Sequence, residues 1–268
     1  MNQPTTSSEQ TNRQTKVALV TGAARRIGRA IALALARDGW DIALHFHHSS
    51  TEAKATALDI VALGRRAALL QCDLADEAAV RMLLPRAFAA LGQISCVVNN
   101  ASLFDYDDAH DFSSARLDAH MHANLAAPIL LSRALYDATP DGQQAVVINL
   151  LDQKLYNLNP DFLSYTLSKA ALHTATTLLA QALAPKVRVV GIAPGITLVS
   201  GSQSEAEFQQ AHQATPLGRS SMPDDVAASV CYVAGARALT GTTLLVDGGQ
   251  HLISLRRDVM FTSLPTAP

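Results

Sequence analysis

Cysteine and charge are both scarce in this chain of 268 residues. Its three cysteines, Cys72, Cys96 and Cys231, are scattered without Cys-x-x-Cys spacing. Such thiols read as small buried side chains in a reducing cytosol. Only 16% of the residues are charged and the formal net charge is −2, so nothing attracts nucleic acid or an anionic membrane surface in general. No apolar run approaches the ~20 residues of a spanning helix, and the polar N-terminus lacks the apolar core of a signal peptide. Nine histidines are present, with His45, His47 and His48 in one cluster and His120 and His122 in another. No carboxylate or cysteine stands near either cluster at ligand spacing, so no metal is expected. With 49% hydrophobic residues, the chain can bury a large single core.

Residues 1–15 are almost devoid of apolar side chains and read as a disordered tail. An alternation follows. Apolar runs at 16–21, 41–46, 67–71, 94–98, 145–151, 187–192 and 242–246 read as buried strands. Between them lie a helix with Ile27, Ala30, Ile31, Ala34 and Leu35 on one stripe, then helices over 51–63 and 76–90. Gly39, Gly64 and Gly92 stand where these three stop. A longer helical region over 114–136 contains Pro128, which should kink or split it. Helices over 161–183 and 223–235 complete the series. The polar, Gln-rich stretch from Thr197 to Thr215 is the candidate for a mobile lid. The pattern predicts an α/β fold, a single-domain Rossmann-type doubly wound parallel sheet with helices on both faces. The domain should span 16–249, with 250–268 as a C-terminal extension.

The chemistry centres on Tyr165 and Lys169. Four residues apart on a helix, they share one face. A phenol titrates near pKa ~10, and an ammonium held beside it should pull that value down toward neutral pH. The other four tyrosines have His110, Pro140, Pro160 and Ala236 at the fourth position, so only Tyr165 can form this pair. Asp152 follows the fifth apolar run, at the carboxyl end of a buried strand, where open α/β sheets put their ligands.

Between the first strand and its helix lies Thr21-Gly22-Ala23-Ala24-Arg25-Arg26-Ile27-Gly28. A glycine turn opening a helix lets the backbone approach a pyrophosphate and presents free N–H groups to it. The second strand ends in His45-Phe46-His47-His48-Ser49, with no carboxylate to hold a ribose 2′-hydroxyl. Imidazole, hydroxyl and nearby Arg25 suit a 2′-phosphate instead, which points to NADPH. Of the three histidines, His45 is the one most readily read as a plain solvated loop residue.

Together with Asp73, Asn99-Asn100-Ala101, Asn124, Pro194-Gly195 and Val246-Asp247-Gly248-Gly249, these motifs resemble the short-chain dehydrogenase/reductase family from Lys16 to Gly249. Asp152 stands where that family usually has serine. Arg26 and Ser102 stand where it has glycine. Those departures, with Phe104 and the His-Phe-His-His-Ser segment, look like the pteridine reductase branch, which includes dihydromonapterin and dihydrofolate reductases. The resemblance implies cofactor contacts at Gly22, Arg25, Arg26, Ile27, Gly28, His47, His48, Ser49, Asp73 and Leu74. It implies further ones at Asn100, Ala101, Ser102, Tyr165, Lys169, Pro194, Gly195 and Thr197. It also implies that Phe104 stacks on a pterin and that Arg26 and Ser102 hold pterin and cofactor together. Asn124 would support a water chain reaching Lys169. Asp152 would either relay a proton through Tyr165 to a ring nitrogen or bind the donor groups of an aminopyrimidine ring.

Two other readings stay open. One is a carbonyl or alcohol oxidoreductase in which Asp152 merely replaces serine. The other is a protein that binds NADPH without turnover. A homotetramer is expected by resemblance, and the extension, with His251, Arg256 and Arg257, is expected to cross to a neighbouring subunit's site.

Overall fold

The computed structural model describes residues 16–199 and 203–261; the expected N-terminal tail lies outside the described residues. Seven strands form one parallel sheet in the order β3-β2-β1-β4-β5-β6-β7. They are β1 (Val17–Val20), β2 (Asp41–Phe46), β3 (Ala67–Gln71), β4 (Cys96–Asn99), β5 (Ala145–Leu150), β6 (Val187–Pro194) and β7 (Thr243–Val246). Successive side chains of a strand point to opposite faces. Ala18 and Val20 accordingly pack with Ile31, Leu35, Val226 and Val230 of α1 (Arg26–Arg37) and α8 (Pro223–Gly235). Val17 and Leu19 face the other way, onto Leu83 of α3 (Glu77–Leu91) and Leu131 and Leu135 of α5 (Ala127–Ala138). Both faces are covered, which is why β1, β2 and β4 to β6 are buried along their whole length.

The strand order reverses between β1 and β4, and that is where an open sheet leaves its crevice. The crevice is stitched shut at its floor. Thr21 Oγ1 accepts from the backbone N–H groups of Asn100 (2.9 Å) and Ala101 (3.0 Å), and Asn100 Nδ2 donates to Thr21 O at 2.9 Å.

The region around Pro128 divides as its ring requires. It runs as α4 (Ser114–Met121), a π-turn (His122–Ala126) and then α5, with Pro128 in the first turn of α5. Proline has no N–H to return to the Asn124 carbonyl four residues before it, and the backbone widens there. The 197–215 stretch, the candidate lid, contains a helix that the sequence reading did not assign. It carries α7 (Glu205–Gln213), started by a capping box in which Ser204 and Glu207 satisfy each other's backbone N–H groups, with Phe208 and Ala211 buried. The Ser-x-x-Glu signal was present in the sequence.

The helix bearing Tyr165, α6 (Leu163–Leu183), begins two residues later than its apolar pattern suggests because Phe162 is left-handed (φ 56°). Phe162 offers no capping oxygen. Asp107, a fully buried carboxylate from the loop after β4, does so from a distance, accepting the Ser164 backbone N–H at 2.9 Å and the Ser164 hydroxyl. A cap of this kind satisfies a donor that the helix cannot. Asp107→Ala strands both Ser164 donors and is expected to lower stability by about 1–3 kcal/mol. Chemical denaturation of the two proteins checks it, and equal midpoints would remove Asp107 from this role.

Candidate functional site

One cavity of about 290 Å³ opens at the carboxyl ends of β1, β4, β5 and β6. Its walls include Asp152, Tyr165, Lys169, Phe104, Ser102, Asn100, Arg26 and Ile27, with the Pro194–Thr197 segment along one side. Three of the four expected catalytic residues, Asp152, Tyr165 and Lys169, thus meet residues expected around the nicotinamide and substrate, while Asn124 lies outside the wall.

Tyr165 Oη donates to Asp152 Oδ2 at 2.8 Å. The other Asp152 oxygen accepts the Lys154 backbone N–H at 2.8 Å, which caps the 3₁₀ turn Gln153–Tyr156 and fixes the carboxyl in place. Lys169 Nζ donates to the Leu150 carbonyl at 2.7 Å and lies 5.8 Å from the Tyr165 ring centre. This geometry corrects the expected electrostatics. Burial, then the Asp152 carboxylate beside it, pushes the Tyr165 phenol well above its ordinary value rather than down. Burial also raises Asp152 and lowers Lys169 to about 8. Lysine does not acidify the phenol here because its nitrogen is turned to a carbonyl, while the carboxylate is in direct contact.

Phe104 lies stacked on Phe162 (4.3 Å, 13°) and edge-on to Tyr165 (4.6 Å), while its ring stays 39% exposed. Asn124 does not reach Lys169 directly. Its carboxamide donates to Leu103 O (2.9 Å) and Ser168 Oγ (3.0 Å) and accepts from Leu103 N (2.8 Å) and Ser102 Oγ (3.2 Å). It braces the Phe104 loop against α6. Thr197 is buried, its hydroxyl engaged with Gly195 O and Ser221 Oγ at 2.8 Å each.

The remaining expected contacts lie along the same sheet edge, outside this cavity. His47 and His48 are exposed beyond β2 with ring centres 3.5 Å apart, and His47 Nε2 is 3.9 Å from Asp73. Ser49 precedes α2 (Ser50–Ala62), Arg25 is exposed in the glycine turn, and Leu74 packs partly into the core. His45 is not the solvated loop residue expected. It is buried, with Nδ1 accepting the Gly22 N–H (3.1 Å) and Nε2 donating to Cys72 O (3.0 Å), and burial lowers it to about 4. Its neutral ring ties the glycine turn to β3, a role no sequence signal marked because every β2 side chain is buried.

The turn itself fits a dinucleotide. Gly22 has φ +63°, and a Cβ on Gly28 would stand 2.1 Å from Gly22 O, so only a bare backbone fits both places. Arg26 breaks the local rule, holding φ +55° where the family has glycine, and its guanidinium donates to Val199 O at 3.0 Å.

Sequence reasoning also missed groups near the site. Gln153 Oε1 and both carboxamide atoms of Gln203 are buried without a hydrogen-bond partner, and both residues line the cavity. The described part of the extension lies at this chain's own cavity, with Asp258, Val259 and Met260 in the wall. Arg257 and Asp258 find partners on the Asp152–Asp161 loop of the same chain, which holds the segment there.

A family model described as enoyl-(acyl carrier protein) reductase matches residues 22–251. The crystal structure of FolM alternative dihydrofolate reductase 1 from Brucella canis, complexed with NADP, is similar at 41% identity with a TM-score of 0.84. It covers 89% of this chain and 95% of that one. An uncharacterized oxidoreductase of Mycobacterium tuberculosis is 37% identical over 251 residues, covering 87% of this chain and 91% of the relative. The 2-dehydro-3-deoxy-D-gluconate 5-dehydrogenase of Escherichia coli is 32% identical over 242 residues, covering 87% and 94%.

A side chain at positive φ carries a penalty that glycine escapes, so Arg26→Gly should be more stable than Arg26→Ala by about 0.5–1 kcal/mol. Thermal unfolding of the two variants tests this, and the reverse order would mean that the turn relaxes.

Proposed function

Because the chain belongs to the short-chain dehydrogenase/reductase family, we propose that it is an NADPH-dependent reductase of pterins, dihydropterins or dihydrofolate. The observation that carries this reading is the Tyr165–Asp152 hydrogen bond, a carboxyl where a ketone-reducing site of this family has a hydroxyl. The NADP-bound Brucella relative supports it. So do the unpartnered amide atoms of Gln153 and Gln203, which ask for a ligand rich in both donors and acceptors. A pterin ring offers that pattern and a simple ketone does not. The E. coli relative favours the rival reading, a carbonyl or alcohol oxidoreductase. Assembly as a homotetramer belongs to the proposal on the family resemblance alone.

When bound, a reduced nicotinamide supplies the two electrons and one hydrogen that a ring carbon receives. Gly22, Arg25, Arg26, Gly28 and Asn100 would hold its phosphates and ribose, and His47, His48 and Ser49 its 2′-phosphate. The protein's task is the proton. With Asp152 ionised, the Tyr165 proton is directed to the carboxylate and is withheld from substrate. With Asp152 protonated, its O–H can donate to the Tyr165 oxygen, and Tyr165 is free to donate to a ring nitrogen. Tyr165 then gives up one proton and receives another from Asp152, which is refilled from solvent between turnovers. Burial favours this competent form by raising the Asp152 pKa.

The sign of the pH dependence follows. kcat/KM should be greatest at the acid side and fall as pH rises through the raised Asp152 value. Asp152→Asn should flatten that limb and lower the rate by about 10²–10⁴-fold. NADPH oxidation with dihydromonapterin, dihydrobiopterin and 7,8-dihydrofolate, set against an acetoacetyl thioester and simple ketones, tests the assignment. Turnover of ketones alone selects the rival, and tight NADPH binding without turnover of any compound selects a non-catalytic binder.

The 2′-phosphate site is tested separately. A carboxylate introduced by His48→Asp should repel the phosphate and shift the ratio of NADPH to NADH efficiency toward NADH by about tenfold or more. An unchanged ratio, or a wild-type preference for NADH, removes the His47–Ser49 segment from cofactor choice.

A further inference from the structure

The C-terminal extension makes more contacts with the site than a frayed end would. Arg257 forms a bidentate pair with Asp161, with Nε 2.8 Å from Oδ2 and Nη2 2.7 Å from Oδ1, and the Asp258 backbone N–H donates to the same carboxylate at 2.7 Å. Asp258 Oδ2 is 3.1 Å from Lys154 Nζ, an ion pair whose side chains are only 15% and 4% exposed. Asn157 donates to the Ile253 carbonyl at the start of the segment. At its end, Phe261 stacks on Phe162 (6.0 Å, 23°), and Phe162 in turn stacks on Phe104. Three rings therefore connect the end of the described chain to the aromatic side chain at the cavity.

These anchors all lie between Asp152 and Asp161 or on the aromatic column beside it, and they bring Asp258, Val259 and Met260 into the cavity wall. A buried ion pair is a poor source of stability, since desolvation offsets much of its attraction, but it fixes geometry. Arg257 and Asp258, pairing with two different partners, fix the segment at adjacent positions. The cavity stays partly open to solvent and is about 290 Å³. That is near the lower limit of ~300 Å³ for small-ligand sites, and it has to take a nicotinamide ring as well as a substrate.

We propose that the segment from Ser254 to Phe261 is the specificity-determining wall of this chain's own substrate site, admitting compact bicyclic pterins and excluding those with a long aminobenzoyl-glutamate tail. The inference rests on the pterin reading above and deepens it to a substrate class. While Asp258, Val259 and Met260 are docked, the site accommodates a ring system, whereas a folate tail needs the wall displaced.

The test is the ratio of kcat/KM for 7,8-dihydrofolate to that for dihydromonapterin. It is measured in the full-length enzyme, in Arg257→Ala/Phe261→Ala, and in a chain ending at Ser254. Releasing the wall should raise the ratio about tenfold or more, chiefly through a lower KM for dihydrofolate. An unchanged ratio overturns the proposal, as does a full-length enzyme that already uses dihydrofolate as well as dihydromonapterin. Amide hydrogen exchange at Lys154–Asn157 gives a readout independent of turnover. Faster exchange in both altered chains supports a docked wall, and equal exchange removes it. An enzyme inactive on every pterin ends the pterin reading instead, and the exchange result then still decides whether the wall exists.

Discussion

The hydrogen bond between Tyr165 and Asp152 joins a buried phenol to a half-buried carboxyl, and that setting governs everything the site can do. In water a phenol and a carboxylate would each keep their ordinary proton affinity. Here burial raises both, the Asp152 carboxylate raises Tyr165 further, and the hydrogen bond from Tyr165 offsets part of the rise at Asp152. Both groups therefore stay protonated to higher pH than in water, which keeps the pair loaded with the protons that a reduction consumes. Lys169, lowered to about 8 by the same burial and bonded to the Leu150 carbonyl, holds the end of β5 against α6 as much as it supplies charge.

The fold was legible because five of its seven strands are buried along their whole length and so appear as unbroken apolar runs, separated by helices. Most strand boundaries fall within one or two residues of those runs. The break at Pro128 was legible for a chemical reason, the missing N–H. The convergence of Tyr165, Lys169, Asp152 and the glycine turn was legible because topology carries the ends of β1, β4 and β5 to one edge. What escaped was set by contacts between residues far apart in sequence. Nothing local marks His45 as the ring that joins Gly22 to Cys72, or Asp107 as the cap of a helix starting at Leu163. The sign of the Tyr165 shift escaped for the same reason. Spacing along a helix gives the Lys169 neighbour, whereas the carboxylate that dominates comes from another element.

Several of the places where local rules fail lie at or beside the cavity. Arg26 and Phe162 are the two non-glycine residues with positive φ among the described residues, one at the start of α1 and one at the start of α6. Gln153 and Gln203 leave polar atoms unpaired in a molecule that pairs most others. Strain and unsatisfied polarity of this kind persist only where surrounding structure over-determines them, and they concentrate where a ligand is met. Arg26 trades an unstrained turn for a guanidinium at the cavity. Phe162 trades a normal helix start for a ring between Phe104 and Phe261.

Positioning and chemistry are thereby assigned to different parts of the chain. The sheet supplies a rigid edge, and its strands end in backbone groups already paired by Thr21 and Asn100. The reacting side chains sit on α6 and on the short turn after β5. Their orientation is fixed by groups that stand behind them: Asp107 at the helix start, Asn124 at Ser168, and the Lys154 N–H at Asp152. Only the outer wall comes from a segment beyond the last strand, and it is held by ion pairs and ring contacts rather than by the sheet. Residues 254–261 make none of the hydrogen bonds of the Tyr165–Asp152 pair, yet Asp258 raises the proton affinity of both groups by its charge and pairs with Lys154, whose backbone N–H holds Asp152. The segment and the proton-holding pair are therefore coupled through one carboxylate, although different forces hold them in place.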